Sequence, residues 1–258
     1  MTPGLASTFA WSALLLGACL GALWLLSLRL RDASVVDGFW AAGFALVSWV
    51  AWACGPGDAR AWLSTSLATL WALRLSSWLV RRYLSHGEDR RYAAMREKFA
   101  PGWWWKSLFV VFLLQGVLLW TVSLPLQLAG ARGGPLGPLD ALGALLFAAG
   151  FLCEAVADAQ LGRFRADPAS AGRVLDTGLW RWSRHPNYFG NALLWWGLGC
   201  LGAAAGAPWT LLSPALMTFL LLRVSGVALL EKDIGDRRPG YPEYVRRTSA
   251  FVPWPPAR

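Results

Sequence analysis

Of 258 residues, 56% are hydrophobic and 15% charged, and 18 are Trp, whereas a soluble domain carries roughly 25% charged residues. With a positive mean hydropathy, this excludes an ordinary soluble globular domain and points to a membrane protein. The 24 Lys and Arg against 15 Asp and Glu give a net charge of +9, which suits nucleic acid or a cytoplasmic membrane face; the basic residues are spread along the edges of apolar runs, so no nucleic-acid partner is expected.

A membrane-crossing helix needs about 20 mostly apolar residues. Seven stretches meet or approach that length, at about 8–28, 36–54, 61–84, 107–129, 137–157, 189–206 and 208–230. No Lys or Arg precedes the first, which is therefore expected to be a retained helix and not a cleaved leader. The sixth is weakest, because residues 202–207 are all Gly and Ala, and Ala207-Pro208 alone divides it from the seventh. Loops 85–106 and 158–188 and the tail 231–258 are polar. With the short first loop, and Arg81 and Arg82 at the end of the third stretch, they hold 20 of the 24 basic residues; Arg60 and Arg132 fall on the opposite side, and Arg74 and Arg223 inside spans. The positive-inside rule then predicts an all-α protein of seven transmembrane helices, amino terminus outside and carboxyl terminus cytoplasmic, forming a single membrane-embedded domain over 1–258. Pro239-Gly240 and the closing Val-Pro-Trp-Pro-Pro predict a tail that turns and then runs extended. Cys19, Cys54, Cys153 and Cys200 lack the spacing of a zinc site or a disulfide framework, so no metal is expected.

Ionisable groups within a membrane are costly and mark candidate functional positions. Asp37 opens the second span, as a helix cap or as a reacting acid. Arg74 lies mid-span with Trp78 and Arg81 on the same stripe, as a snorkelling cation or a functional one. Glu154 and Asp158 are one turn apart at the end of the fifth span, with Arg165 continuing their stripe, a pair that a donor-rich ligand or a nearby Arg would relieve. Arg223 and Glu231 bracket the end of the seventh span and could neutralise one another. Arg165, Arg173, Arg184, Arg223, Arg246 and Arg247 exceed what orientation requires, and the planar guanidinium fork suits a polyanion.

The densest motif is Leu179-Trp-Arg-Trp-Ser-Arg-His-Pro-Asn-Tyr-Phe-Gly-Asn191. Pro186 restrains its backbone, Asn187 and Tyr188 offer donors and acceptors, and Gly190 allows a ligand or a helix to approach. Ser183 to Gly190 resembles the signature of the steroid 5-alpha-reductase superfamily, with related forms in sterol reductases and isoprenylcysteine carboxyl methyltransferases. Val36-Asp-Gly-Phe-Trp40, Gly87-Glu-Asp-Arg-Arg-Tyr92, Glu154-Ala-Val-Ala-Asp158, Arg223 to Lys232 and Gly240-Tyr-Pro-Glu-Tyr244 are similar to bacterial members, so the likeness spans most of 34–256. The sequence departs from the animal enzymes in having Asp37 preceded by Val36 where they carry a Gln-Glu pair, and Asn191 where they carry a Glu.

The resemblance implies NADPH-dependent reduction of the carbon-carbon double bond of a 3-oxo-delta-4 steroid or similar apolar enone. It implies that Glu154, Asp158, Arg165, Arg173, Trp180, Arg184, His185, Asn187, Tyr188, Arg223, Glu231, Lys232, Tyr241 and Arg246 hold or orient the NADPH cofactor. Asp37, Arg74 and Tyr92 would form the reacting group, with Asp37 donating once burial protonates it, and Trp40, Trp71 and Trp78 would face the substrate. The rivals are an S-adenosylmethionine-dependent methyltransferase and a non-enzymatic lipid-binding membrane protein. A monomer in contact with membrane lipid is expected. The scarcity of Lys beside abundant Ala, Leu and Arg suggests a bacterial inner membrane, with the cofactor site facing the cytoplasm.

Overall fold

The computed structural model describes residues 3–224, 226–231 and 238–257, which are all-α. Helix α1 (Pro3–Leu30) ends where Arg31 turns left-handed, φ 58°, and the Asp32 amide donates back to the Ser27 carbonyl at 3.0 Å, a closure that satisfies a carbonyl of the last turn. Helix α2 (Val35–Cys54) follows. Asp58 caps α3 (Ala59–His86) by accepting from the Ala61 amide, and Asp89 caps α4 (Arg90–Lys98) by accepting from the Arg91 amide. A continuous rod comprises α5 (Trp103–Ser107), a π-helical turn at Leu108–Leu113 and α6 (Leu114–Val122), and α7 (Leu124–Arg132) and the long α8 (Pro138–Ala166) come next. Beyond the 158–188 loop lie α9 (Pro186–Ala204), a 3₁₀ turn at Pro208–Leu211, α10 (Leu212–Phe219), a second π-helical turn at Leu220–Val224, α11 (Val227–Glu231) and α12 (Tyr241–Arg247).

Among the described residues four helices are long and apolar enough to cross a membrane, over Gly4–Leu30, Val35–Cys54, Trp103–Val122 and Pro138–Ala166. Large apolar side chains on them, Leu14, Leu25, Leu145 and Leu152 among them, stand exposed, as lipid-facing positions do. The other three expected spans are helical but do not pass as apolar spans of full length. Residues 61–84 lie in α3, whose arginines lower its hydropathy; 189–204 lie in α9; and 208–224 form a shorter apolar helix of 3₁₀, α and π turns.

The expected fourth span, 107–129, is also interrupted, at Ser123. Pro125 cannot donate to the Thr121 carbonyl four residues back, and the Ser213 hydroxyl donates to it instead at 3.2 Å. The Gln127 amide covers the Trp120 carbonyl at 3.0 Å and donates to Ser123 Oγ at 2.9 Å, while Ser12 and Trp120 close the buried network. The tail also departs from expectation, because α12 stands between the Pro239-Gly240 turn and the extended end; Pro242 falls in its first turn, where no N–H is required.

The chain forms two compact units, Met1–Asp140 with Leu201–Ser213, and Ala141–Cys200 with Pro214–Arg258. In the first, α2 packs on α1, α3 and α7. Its deepest charges are Arg60 and Asp140, 7% and 1% exposed. Arg60 donates from Nε and Nη2 to the two Asp140 oxygens at 2.8 and 2.9 Å, and from Nη1 and Nη2 to the carbonyls of Gly133 and Pro135. Removing one partner leaves a buried charge uncompensated, so Asp140→Ala is expected to cost about 3–5 kcal/mol. A large fall in the thermal transition of the detergent-solubilised variant, mostly recovered by an Arg60→Met, Asp140→Leu pair, is the expected result.

In the second unit α8 and α9 meet backbone to backbone. A Cβ at Gly150 would lie 2.4 Å from the Leu194 nitrogen, one at Gly190 2.5 Å from the Glu154 nitrogen, and one at Gly197 2.5 Å from the Gly143 carbonyl oxygen. Small residues permit such an approach between membrane helices. Gly190 thus serves a helix, and the seam sets Glu154 and Asp158 of α8 beside the polar start of α9.

Candidate functional site

In the first unit a carboxylate, a phenol and an amide lie in sequence. Asp37, in the first turn of α2, accepts from the Tyr92 hydroxyl on Oδ1 at 2.6 Å and from Arg91 Nη2 on Oδ2 at 3.1 Å. Gln115 Nε2 donates to the Tyr92 oxygen at 3.0 Å. Arg91 also grips Asp89 from Nε and Nη2, and Arg82 bridges Asp89 at 3.2 Å and approaches Asp37 at 3.8 Å. The Tyr92 ring packs with Val36, Val111 and Phe112. Burial raises the Tyr92 phenol, and the Asp37 charge and hydrogen bond raise it further, so it stays a proton donor across the ordinary pH range. Burial would raise the Asp89 carboxyl too, but the hydrogen bonds from Arg91 and the Arg charges outweigh it and hold it below the usual range.

The structure therefore brings Asp37 and Tyr92 together. Both Asp37 oxygens accept, and the phenol is the donor. Arg74 lies half-buried within α3, whereas Arg82, two turns further, is the α3 guanidinium beside Asp37. Gln115 and Arg82 were not singled out in the sequence, and Asp89 and Arg91 entered only as part of the Gly87–Tyr92 motif. Gln115 carried a signal, an amide in an otherwise apolar span, and it follows directly on a π-helical turn, a feature frequent at functional sites. Trp71 is fully buried on Phe44, ring centroids 5.8 Å apart, while Trp40 touches the other side of Phe44 at 5.3 Å; Trp78 is half-buried.

The second unit sorts the remaining expected positions into three groups. At the α8–α9 seam Asn187 Nδ2 donates to Asp158 at 3.0 Å and Asn191 Nδ2 to Glu154 at 3.4 Å, with both acids about 5% exposed. A second group is joined within the protein. Arg184 donates from Nε and Nη2 to both Glu231 oxygens at 2.8 and 3.0 Å, and from Nη1 to the carbonyls of Val245 and Thr248. His185 Nε2 meets Glu231 at 2.9 Å, and its ring stacks with Tyr188. The Trp180 indole donates to the Ala157 carbonyl, and Tyr241 is buried against Tyr244. Among the described residues Glu231 is thus bonded by Arg184 and His185, and not by Arg223, with which the sequence allowed it to pair. The third group, Arg165, Arg173, Arg223 and Arg246, is exposed, with Arg246 paired to Glu243. Lys232 lies outside the described residues.

Further bonds join this motif to the tail: the Arg184 amide donates to the Ser249 carbonyl, the Trp254 amide to the Trp182 carbonyl, and the Ser183 hydroxyl to the Phe251 carbonyl. Burial would raise the Glu231 carboxyl, but the hydrogen bonds from His185 and Arg184 and their charges bring it down to about 2, against the model-peptide value of 4.5. A depressed carboxyl stabilises the fold fully above its unfolded value and loses that contribution as pH falls through the folded one. The thermal transition should therefore drop between about pH 5 and pH 2, with Glu231→Gln lower at neutral pH and flatter over that window. An identical acid profile in the variant would remove Glu231 from the effect.

A family model described as a protein of unknown function, DUF1295, matches residues 23–248. An uncharacterized protein of Schizosaccharomyces pombe is similar, 29% identical over 273 residues, an alignment that covers 93% of this chain and 78% of the relative. No solved structure matches.

Proposed function

The chain belongs to the DUF1295 family of membrane proteins, and from that premise we propose that it reduces the carbon-carbon double bond of an apolar enone, of the 3-oxo-delta-4 steroid class, with NADPH. The observation that carries the reading is the Tyr92 phenol, a buried donor fixed between the Asp37 carboxylate and the Gln115 amide. Conjugate reduction of an enone places negative charge on the ketone oxygen, and a positioned O–H is what stabilises it. Tyr92 supplies that donor. Asp37, held by Arg91, accepts the single phenol O–H until a ketone oxygen takes its place as acceptor, and the Gln115 N–H stabilises charge on the phenolic oxygen when that proton shifts toward substrate.

The second unit fits a dinucleotide by the chemistry of its donors. The exposed guanidiniums of Arg165, Arg173, Arg223 and Arg246 suit phosphates, and the seam of Glu154, Asp158, Asn187 and Asn191 suits ribose hydroxyls and a carboxamide. Trp180, Arg184, His185, Glu231 and Tyr241 would brace that surface. NADPH, when bound, supplies the hydride. In this reading the basic helix ends face the cytoplasm of a bacterial inner membrane, and the substrate arrives from lipid.

The test is a titration of the detergent-purified protein with NADPH, NADH and S-adenosylmethionine, followed by addition of progesterone or testosterone. Tight NADPH binding and steroid-dependent loss of nicotinamide absorbance are expected. Binding of S-adenosylmethionine without any response to NADPH would overturn the reductase in favour of methyl transfer, and binding of steroid alone would favour a lipid-binding protein.

A further inference from the structure

The turn that leads into the Trp103–Val122 span has surface chemistry that the proposed reaction does not use. Trp104, Trp105 and Phe109 are 64%, 45% and 53% exposed, and among the described residues neither the Trp104 nor the Trp105 indole N–H has a protein acceptor. The turn itself is held firmly. Lys106 Nζ donates to the carbonyls of Phe99 and Pro101 at 3.1 and 2.9 Å and lies over the Trp105 ring, and the Phe99 and Trp103 rings stack.

Two bonds fasten this turn to the end of α1. The Trp24 indole donates to the Trp104 carbonyl at 3.1 Å, and Arg96 Nη1 donates to the Arg31 carbonyl at 2.5 Å. Exposed Arg29 lies in the last turn of α1 and exposed Arg31 just beyond it, and exposed Glu97 and Lys98 close α4 next to Arg96, so the two bonds tie the elements that carry these charges to one another and to the turn that carries the indoles. The net charge of these four exposed residues is +2, the sum of three cations and one acid. Indole rings prefer the depth of lipid headgroups, and basic residues there attract anionic lipid.

We propose that this surface, Trp104 and Trp105 rimmed by Arg29, Arg31 and Lys98, binds the phosphate headgroup of an anionic membrane phospholipid. The cations pair with the phosphate, the free indole N–H groups donate to headgroup or ester oxygens, and Phe109 lies along the acyl chains. The turn is already held by Lys106 and by the Trp24 indole, so less ordering accompanies binding. Soluble phosphate offers the same charge but nothing to cover the rings, so the lipid is the intended occupant.

The experiment uses the full chain in nanodiscs of phosphatidylcholine alone or doped with phosphatidylglycerol, with lipid retained on the protein read by native mass spectrometry. The wild type is expected to retain phosphatidylglycerol selectively. Arg29→Gln, Arg31→Gln and Lys98→Gln should each reduce that selectivity roughly fivefold, as expected for one cation near a membrane surface. Trp104→Phe with Trp105→Phe should also weaken retention, and this pair serves if a charge variant fails to keep the wild-type thermal transition in phosphatidylcholine. Excess inorganic phosphate should leave the lipid bound. Equal retention of both lipids by the wild type, undiminished selectivity in all three charge variants, or displacement by inorganic phosphate would each overturn the site.

Discussion

Tyr92→Phe is expected to lower enone reduction by roughly 10²–10⁴-fold, the range typical of a lost positioned proton donor, while leaving NADPH affinity within about twofold. The argument is local. Phe keeps the ring among Val36, Val111 and Phe112, so packing changes little, and the loss is confined to one hydroxyl. That hydroxyl both donates to Asp37 and accepts from Gln115, so its removal leaves no O–H at the centre of the chain. Asp37→Ala should abolish reduction as well, by a different route, since the phenol remains but loses its orienting acceptor and Arg91 loses part of its ion pair. The kcat and KM of both variants, with NADPH affinity measured separately, check this. Undiminished turnover in Tyr92→Phe would take the phenol out of the chemistry, and undiminished turnover in Asp37→Ala would reduce Asp37 to a helix cap.

Gly190→Leu should be the most destructive single change in the second unit. Overpacking a core where side chains can yield costs typically about 1–3 kcal/mol, but here the incoming atoms meet main chain, with a Cβ 2.5 Å from the Glu154 nitrogen and 2.6 Å from the Gly150 carbonyl. Two helices would have to separate, and Glu154 and Asp158 would part from Asn191 and Asn187. Loss of monodisperse protein on size-exclusion chromatography, with loss of NADPH binding in whatever survives, is the expected outcome. Gly21→Ala is the control, because nothing lies within 4 Å of the added atom and the helix interior gains propensity. A Gly190→Leu protein with the wild-type thermal transition would mean that the two helices do not touch.

The helices were legible because long apolar runs with few breakers have little alternative in a membrane. Their interruptions were not. Pro125 looked like one more residue of an apolar run, since its consequence depends on whether a distant group can cover the Thr121 carbonyl. The Tyr241–Arg247 helix was hidden by Pro239, Gly240 and Pro242, residues that start a helix as readily as they prevent one. For the site, Asp37 and Tyr92 could be picked out as residue types, but the bond between them crosses 55 positions and local spacing does not reveal it. Arg184 shows the opposite difficulty. As a guanidinium in a polar motif it suggested a phosphate, and only the fold reveals that Glu231 and two carbonyls occupy it.

The cover over the Thr121 carbonyl has a bearing on how the protein is made. Ser213 lies 92 residues downstream of the carbonyl it serves, and the Leu201–Ser213 segment belongs to the unit that the first 140 residues otherwise build. A nascent chain emerging from the ribosome therefore carries the proline break through the synthesis of α8 and all of α9 before its hydroxyl arrives. Until then the early helices are an unfinished assembly with an open seam, and a chain that terminates at residue 140 would keep that seam for good, as a substrate for membrane quality control.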